Sequence, residues 1–271
     1  MEIHHTAVVS PKAKIGRDCK IGPYCIIEDN TEIGDGCIFD AHSVVKWGTV
    51  MGSGNHVFEG AVIGGLPQCT GMTHSRGKTI IGNGNMIREN CTIHRSKEDD
   101  GETVLGDNNM LMVNVHVAHD CRIGDNVLVS NNTMFAGHVV VESRAVVSGA
   151  VGVHQFCRIG TLAMVGGQAR VVKDIPPYMR VDGKTTGIVG LNIVGLTRHG
   201  YSHDDIKILK SIYRIIYRSG LPWLEIVATL KRAYTSGPGF DIARFLESAD
   251  RGITRDRRSF RCDDSLSDPA Q

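Results

Sequence analysis

Aliphatic side chains return along this chain every six residues. Beginning at Ile3, the series runs Val9, Ile15, Ile21, Ile27, Ile33, Phe39, Val45, Met51, Val57 and Ile63, and holds the same phase at Ile81, Ile87 and Ile93. It resumes at Leu105 and continues through Leu111, Val117, Ile123, Val129, Phe135, Val141, Val147, Val153, Ile159, Val165 and Val171. Of the 29 positions in this phase between 3 and 171, only Cys69, Ser75 and Asp99 are neither aliphatic nor Phe. Four residues after many of these aliphatics stands a small residue, as at Ala7, Ala13, Cys19, Cys25, Thr31, Cys37, Cys91, Cys121, Thr133, Ala145 and Cys157. An offset of four preserves strand parity, so both positions are expected to point inward. Glycine often follows the aliphatic residue directly, as at Gly16, Gly22, Gly34, Gly52, Gly106 and Gly124, where the chain is expected to turn. Short strand and turn in units of six describe a mainly β solenoid, in which each unit buries its face only against its neighbours.

Two segments, 69–80 and 96–104, leave the pattern. The second, Ser96-Lys97-Glu98-Asp99-Asp100-Gly101-Glu102, is charged and turn-rich and reads as a loop ejected from the coil. Loops on a rigid scaffold commonly bind ligands. Beyond Pro176-Pro177 the period ends. Ser202-His203-Asp204-Asp205 predicts a helix start, with Ile206, Leu209, Ile212, Tyr213 and Ile216 following at helical spacing. Pro222 is placed in the first turn of a second helix with Trp223, Leu224, Val227 and Leu230 on one face, and a third helix is expected near 241–249. The expected organisation is a catalytic β-helix over 1–190, a small helical domain over 191–254, and a disordered tail over 255–271 with few apolar residues.

Composition narrows the function. Glycine accounts for 32 of 271 residues and aromatics for 6%, which suits many repeated turns. Lys plus Arg is 30 against Asp plus Glu at 29, so the chain lacks the basic footprint of a nucleic-acid partner. No stretch of 18 apolar residues offers a transmembrane helix, and Met1-Glu2-Ile3-His4-His5 lacks the features of a signal peptide, so a cytoplasmic location is expected. Six of the eight cysteines occupy the small inward slot. Cys19 and Cys37, one coil apart, would stack near ~4.8 Å, within range of a disulfide, but in a cytosolic chain they read as reduced core thiols. No CxxC spacing supports a zinc site, and no metal is expected.

The hexad pattern resembles that of the hexapeptide-repeat β-helices, which implies three hexads to a coil of 18 residues, so Val117, Phe135 and Val153 would begin hexads that stack on one corner. They bring His119-Asp120, Gly137-His138 and His154-Gln155 together, with His116 just before the first. None of these side chains occupies an inward slot, so they are expected on the outer surface. A histidine on a solenoid surface is most often merely solvated, the reading that fits His4, His42 and His203. Four of the twelve histidines on one corner, beside an Asp and a Gly, are a different matter. Imidazole titrates near neutral pH and serves as a general base. Asp120 would steady its tautomer, and a glycine N–H would meet a developing oxyanion. This is hardware for acyl transfer. A β-helix metal hydratase of the γ-carbonic anhydrase type and a non-catalytic hexapeptide scaffold are the competing readings.

The hexad pattern resembles the hexapeptide repeat of left-handed parallel β-helices. Asn114-Val115-His116-Val117-Ala118-His119-Asp120-Cys121, Ala136-Gly137-His138, Val153-His154-Gln155-Phe156-Cys157 and Asp174-Ile175-Pro176-Pro177-Tyr178 are similar to the signature of the UDP-N-acetylglucosamine O-acyltransferases, which open lipid A biosynthesis. The resemblance runs from about residue 3 to Arg255. It implies a left-handed helix, a homotrimer with sites shared between chains, and no cofactor beyond the phosphopantetheine of acyl carrier protein, which brings a 3-hydroxyacyl chain. It implies that His119 is the general base on the glucosamine 3-hydroxyl, Asp120 its partner and Gly137 the oxyanion donor. His138, His154 and Gln155 would hold the sugar, His116 would lie beside the sugar nucleotide or acyl chain, and Asn192 and Arg198 would hold the UDP moiety. Gly167 matches the position that measures acyl chain length, and glycine there implies a long, myristoyl-class chain. Three positions depart from the family pattern: Cys69-Thr70-Gly71 where Asp-Leu-Lys is usual, Val194 for Glu, and His199 for Arg. The acceptor is then UDP-N-acetylglucosamine or its 3-amino analogue. On the helix after Ser202, Lys207, Lys210, Arg214 and Arg218 form a basic stripe suited to an acidic carrier protein.

Overall fold

A computed structural model describes residues 1–258 of the chain. Most strands of the solenoid are only two residues long, and each ends on the aliphatic residue of its hexad. The small residue stands immediately before the strand, so it and the aliphatic are two apart and share the inward face. Cys19 with Ile21, Cys25 with Ile27 and Cys37 with Phe39 are all buried in this way. The described cysteines are free thiols.

Three sheets of 11, 9 and 8 strands form the faces of the coil, parallel throughout except for the last strand of the first. Most strands pair with the strand 18 residues later, as Glu2 does with Lys20 and Val8 with Ile26. Two coils are longer. Asn55 and Asn85, which stack in the inward slot, are 30 residues apart, and Thr92 and His116 are 24 apart. Both long coils exceed the others by whole hexads, so the loops at 66–77 and 95–101 leave the phase of the sequence unbroken. The breaks are narrower than the sequence suggests. Lys78–Ile81 and Glu102–Leu105 are four-residue strands paired with each other along their whole length. Between them and the neighbouring coils runs a buried asparagine ladder: Asn55 Oδ1 accepts from the Asn85 N–H, and Asn85 Oδ1 from the Asn109 N–H, at 2.9 and 2.8 Å.

The turn residue is not the one expected. Apart from Gly64, whose φ is 77°, the glycines after the aliphatics lie outside the left-handed region. Instead the third residue after most of the aliphatics is left-handed, with φ of 54–62° at Asp18, Tyr24, Asn30, His42, Asn108, Asp120 and His138, and Gly36, Gly54 and Gly84 fill the same slot. Gly34, Gly52, Gly82, Gly106 and Gly124 are needed for another reason. A Cβ on any of them would lie 2.7–2.8 Å from backbone of the next coil. They mark close approach between coils rather than the turn.

At the far end, Met179–Val181 pairs antiparallel with Ile188–Leu191. Four helices follow: α1 (Ile193–Arg198), α2 (His203–Arg218), α3 (Trp223–Ala233) and α4 (Gly237–Glu247). Ser202 caps α2 in a reciprocal pair with Asp205, and Ile206, Leu209, Ile212 and Ile216 are its buried face. α1 was not legible in the sequence. Pro222 precedes α3 rather than joining its first turn, and α3 buries Ile226 and Leu230 while Leu224 is 82% exposed. α4 begins four residues earlier than expected, with Pro238 early in its first turn. Tyr178 joins the two parts, its hydroxyl donating to Asp241 at 2.7 Å. Arg255–Arg258 are ordered, contrary to expectation: the Ile188 N–H donates to the Arg255 carbonyl at 2.8 Å, and Asp256 pairs with Arg218 at 2.7 Å. The rest of the expected disordered tail lies outside the described residues.

Gly106→Ala should destabilise the fold by about 1–3 kcal/mol, because its Cβ must displace coil backbone. Gly54→Asn should cost less than about 1 kcal/mol, since its left-handed slot is open and asparagine tolerates that conformation. Urea unfolding midpoints of the two variants distinguish close approach from turn conformation.

Candidate active site

The second face carries the candidate site. His116, Met134, Gly152 and Arg170 pair in register and form an outward column across four coils. Where this face turns into the third, His119, Gly137 and Gln155 stack one above another, as do Asp120 and His138. The His138 N–H donates to the His119 carbonyl at 3.0 Å, which locks the two corners together. A cavity of about 450 Å³ lies over this face, lined among others by Gln68, His116, His119, Gly137, His154 and Arg170.

His119 lies outside the coil core but is not free on the surface. Its side chain is 16% exposed and that of Asp120 10%, because the loops at 66–77 and 95–101 fold over the corner. His119 Nδ1 lies 2.7 Å from Asp120 Oδ2. With Nδ1–H donating to the carboxylate, Nε2 is left as an acceptor. Asp120 is itself fixed. Ser96 Oγ donates to Oδ1 in a short bond, the Lys97 N–H lies 3.4 Å from Oδ2, and the Asp120 N–H donates to Thr103 Oγ1 at 2.7 Å. Burial alone would raise the Asp120 carboxyl, but the hydrogen bonds from Ser96 and His119 outweigh it and hold it below the usual carboxylate range. His138 Nε2 is 3.6 Å from the same Asp120 oxygen, and its ring meets His119 edge-on at 5.3 Å. Burial pushes His138 down.

Gly137 is a glycine because of His119. A Cβ there would sit 2.5 Å from His119 Cε1 and 2.7 Å from Nε2. Its N–H meets no acceptor among the described residues. On the other side of the cavity, His116 Nδ1 lies 2.7 Å from Thr92 Oγ1, and its ring packs against His94. Sequence reading missed Ser96, His94 and the Cys69 thiol, whose Sγ lies 3.5 Å from His119 Nε2. Cys69 and Ser96 sit on the two segments that break the hexad phase, which was the available signal.

Ligand atoms of His119, Asp120 and His138 fall within 4.8 Å of one another, close enough to consider a metal. However, the Asp120 oxygen is already committed to His119 Nδ1 and turns that ring's other nitrogen toward Cys69. The arrangement is that of a base with its orienting carboxylate.

The remaining sequence candidates lie apart from this cavity. Gln155 is exposed beside His154, whose Nδ1 is 3.2 Å from the Gln155 carbonyl. Gly167 is exposed at the corner where the first face turns into the second. Asn192 is the cap of α1, and both ends of its amide are used: Oδ1 accepts from Gly195 N–H at 3.1 Å and Nδ2 donates to the Leu162 carbonyl at 2.9 Å. Arg198 ends α1 and is exposed. Val194 is exposed, and His199 Nδ1 lies 2.9 Å from the Gly195 carbonyl. The basic stripe on α2 is partly engaged: Lys207 pairs with Asp204 and Arg218 with Asp256, while Lys210 and Arg214 line a separate cavity with Arg180.

His94 makes the site sensitive to acid. The residue is 8% exposed and its imidazole is pushed down to about 4, by burial first and then by the nearby His116 and His119. Between about pH 6.5 and 4 the folded chain therefore binds fewer protons than the unfolded one, so stability falls as pH falls through that window. The loss amounts to about 3 kcal/mol by pH 4. Asp120, held low, contributes stability that is lost only further down. Urea unfolding between pH 7 and 4.5 should show this decline, and His94→Asn should flatten it.

Comparison with known proteins gives the site its context. The family model described as Udp N-acetylglucosamine O-acyltransferase, Domain 2, matches residues 174–254, and that of the bacterial transferase hexapeptide (six repeats) matches 12–46 and 102–137. An acyl-[acyl-carrier-protein]–UDP-N-acetylglucosamine O-acyltransferase of Burkholderia orbicola is 40% identical over 259 residues, covering 93% of this chain and 99% of the relative. The Synechocystis protein of the same name is 42% identical over 190 residues, 70% of this chain and 69% of its own. Among solved structures, the UDP-N-acetylglucosamine acyltransferase of Bacteroides fragilis superposes with a TM-score of 0.89 at 39% identity, covering 93% of this chain and all of that one. The Francisella novicida enzyme reaches 0.91 at 34% identity, with 99% of each chain covered. Agreement over both the solenoid and the helices leaves one conclusion: the chain belongs to the UDP-N-acetylglucosamine O-acyltransferase family and is an acyltransferase.

Proposed function

We propose that the chain transfers a 3-hydroxyacyl group from acyl carrier protein to the 3-position of a UDP-glucosamine-type nucleotide, UDP-N-acetylglucosamine, at the start of lipid A biosynthesis. The observation that carries this reading is the His119 ring: Nδ1 faces Asp120 at 2.7 Å, while Nε2 lies beside the cavity and the unpartnered Gly137 N–H. Nε2 takes the proton of the acceptor hydroxyl as its oxygen attacks the thioester carbonyl. Asp120, steadied by Ser96, stabilises the imidazolium that forms, and Gly137 N–H receives the oxyanion. Collapse expels the phosphopantetheine thiolate, which takes the proton from His119. Family membership supports the substrates, and no cofactor enters the scheme.

His116, His138, His154 and Gln155 hold the sugar and its neighbouring groups in this reading. Asn192 and Arg198 serve the UDP moiety. Arg198 offers a guanidinium suited to phosphate, and Asn192 retains a second amide hydrogen beyond its capping bonds. Because these two and Gly167 lie apart from the His119 cavity, the site is completed by a second copy in a homotrimer. Lys210 and Arg214 receive the acidic carrier protein, and the reaction belongs in the cytoplasm.

Mass spectrometry of the product formed from acyl carrier protein donors with UDP-N-acetylglucosamine, and separately with its 3-amino analogue, tests the reading. His119→Ala should lose about 10²–10⁴-fold in kcat while light scattering still reports a trimer, since the ring supports no core. Near-normal turnover would remove His119 from the chemistry, and a stable monomer would remove the shared site.

Chain length supplies a further test. Glycine at 167 leaves its corner open, with the nearest atom to an added Cβ, the Gly149 carbonyl oxygen, at 3.3 Å. A myristoyl-class donor should be preferred. Gly167→Met should shift preference to shorter donors, each lost methylene of burial costing about 0.8 kcal/mol. An unchanged chain-length profile would assign length selection to another contact.

A further inference from the structure

A second cavity, of about 410 Å³, opens beside the one over His119, and Arg170 and Val172 line both. Arg170, Lys173 and Arg255 give it three cations, and among the described residues no carboxylate lines it. The nearest acids in the sequence are engaged elsewhere: Asp174 Oδ1 accepts from the Arg158 N–H at 2.8 Å, and Asp182 Oδ1 from the Lys184 N–H at 2.9 Å. Arg170 and Lys173 are exposed, and their side chains meet no hydrogen-bonding partner or carboxylate among the described residues. Three hydroxyls complete the wall. Those of Thr185 and Thr254 donate to Asp182 and to the Lys173 carbonyl, at 3.2 and 3.3 Å. Thr186 Oγ1 accepts the Arg170 N–H at 3.1 Å and keeps its own hydrogen to donate. Thr186 stands in the left-handed region, with φ of 53°, a costly conformation for a β-branched residue. Guanidinium, ammonium and a free hydroxyl together suit a phosphate.

Both substrates of the proposed reaction carry phosphate, and distance separates them. Lys173 follows Val171 as His119 follows Val117, and the strands between pair in register, so Lys173 lies three coils beyond His119. That is roughly 14 Å along the solenoid. The pantetheine arm runs about thirteen bonds from thioester sulfur to phosphate, roughly 15 Å when extended. From the acceptor 3-hydroxyl to the farther phosphate of a sugar nucleotide is about seven bonds, roughly 8 Å. The arm reaches the cavity; the nucleotide phosphates stop short of it. The cavity also adjoins the basic face of the helical domain. Its Arg255 carbonyl accepts the Ile188 N–H at 2.8 Å, and Arg258 lines the cavity of Lys210 and Arg214. Gly167 stands at the opposite edge of the second face, which leaves the acyl tail a path separate from the arm.

We propose that this cavity is the subsite for the phosphate of the carrier protein's phosphopantetheine, held by Arg170 and Lys173 with a hydrogen bond from Thr186. The proposal rests on the acyl-transfer reading above and names a donor subsite within it. With the carrier protein on α2 and the phosphate fixed here, the arm extends along the second face. Its thioester carbonyl then arrives between His119 Nε2 and the Gly137 N–H. Binding the arm at a point remote from the chemistry positions the reacting carbon.

The test compares two soluble donors with the full-length chain, a 3-hydroxyacyl pantetheine and its 4′-phosphate, at saturating UDP-N-acetylglucosamine. In the wild type the phosphate should raise kcat/KM at least about tenfold, the scale of a charge-assisted hydrogen bond. In the double variant Arg170→Ala/Lys173→Ala that ratio should fall to near one, with the KM for the sugar nucleotide and the urea unfolding midpoint unchanged. With the donor on acyl carrier protein, the double variant should raise the donor KM by about tenfold or more. Equal use of the two soluble donors by the wild type, a phosphate preference that survives in the double variant, or an unchanged KM for the carrier-bound donor would each overturn the subsite while leaving acyl transfer standing. A rise confined to the sugar nucleotide KM would overturn it in favour of the nucleotide phosphates. Absence of product from every donor, the carrier-bound one included, would overturn the acyl-transfer reading itself.

Discussion

Successive coils of this solenoid lie one strand spacing apart, about 4.8 Å, and nearly everything else follows from that distance. It forbids a Cβ at the glycine column on the third face, where backbone meets backbone at Gly34, Gly52, Gly82, Gly106 and Gly124. It also places residues of equal hexad position directly above one another. Gly137 over His119 is the same constraint at work in the site: the ring fills the space a side chain at 137 would need.

The corner geometry explains why chemistry gathers where it does. Most hexads turn through a left-handed residue, a conformation that Asn, Asp and His tolerate better than most side chains. Asp120 and His138 both occupy that slot, with φ of 61° and 62°. They are lifted out of the packed interior and held by the ladder on either side. Corners of this kind are hydrogen-bonded to the neighbouring coil, as the His138 N–H is to the His119 carbonyl at 3.0 Å. Rigidity is what a base and its orienting carboxylate need, because small displacements weaken both their hydrogen bond and their aim.

The two inserted segments supply what the repeat cannot. A bare corner would leave His119 and Asp120 solvated, with weak mutual influence. The loop at 95–101 brings the Ser96 hydroxyl and the Lys97 N–H onto Asp120, and the loop at 66–77 brings Cys69 onto His119. Both lengthen their coils by whole hexads, to 30 and 24 residues, so the coils above and below stay in register. The lowered Asp120 carboxyl and the suppressed His94 and His116 rings are consequences of this cover.

The hexad period by itself determined a β solenoid with inward aliphatics and small residues; resemblance supplied the three-hexad coil and with it the stacking of His119, Gly137 and Gln155, because a fixed coil length converts sequence separation into spatial adjacency. The capping box and buried face of α2 were equally legible, being local in sequence. Resemblance added roles for those residues. What the sequence could not determine were contacts whose partners are not in phase. Ser96 reaches Asp120 and Cys69 reaches His119 only because two loops of irregular backbone fold back over the corner. The Asn192 side chain, matched to the UDP moiety by resemblance, also caps α1 and reaches the Leu162 carbonyl, 30 residues away, with its other end. The glycine after each aliphatic was read as a turn, whereas the coil above it is the reason it must be glycine. Local pattern predicts where a repeating backbone goes; only the folded chain decides what non-repeating segments cover, and that cover sets the electrostatics of the site.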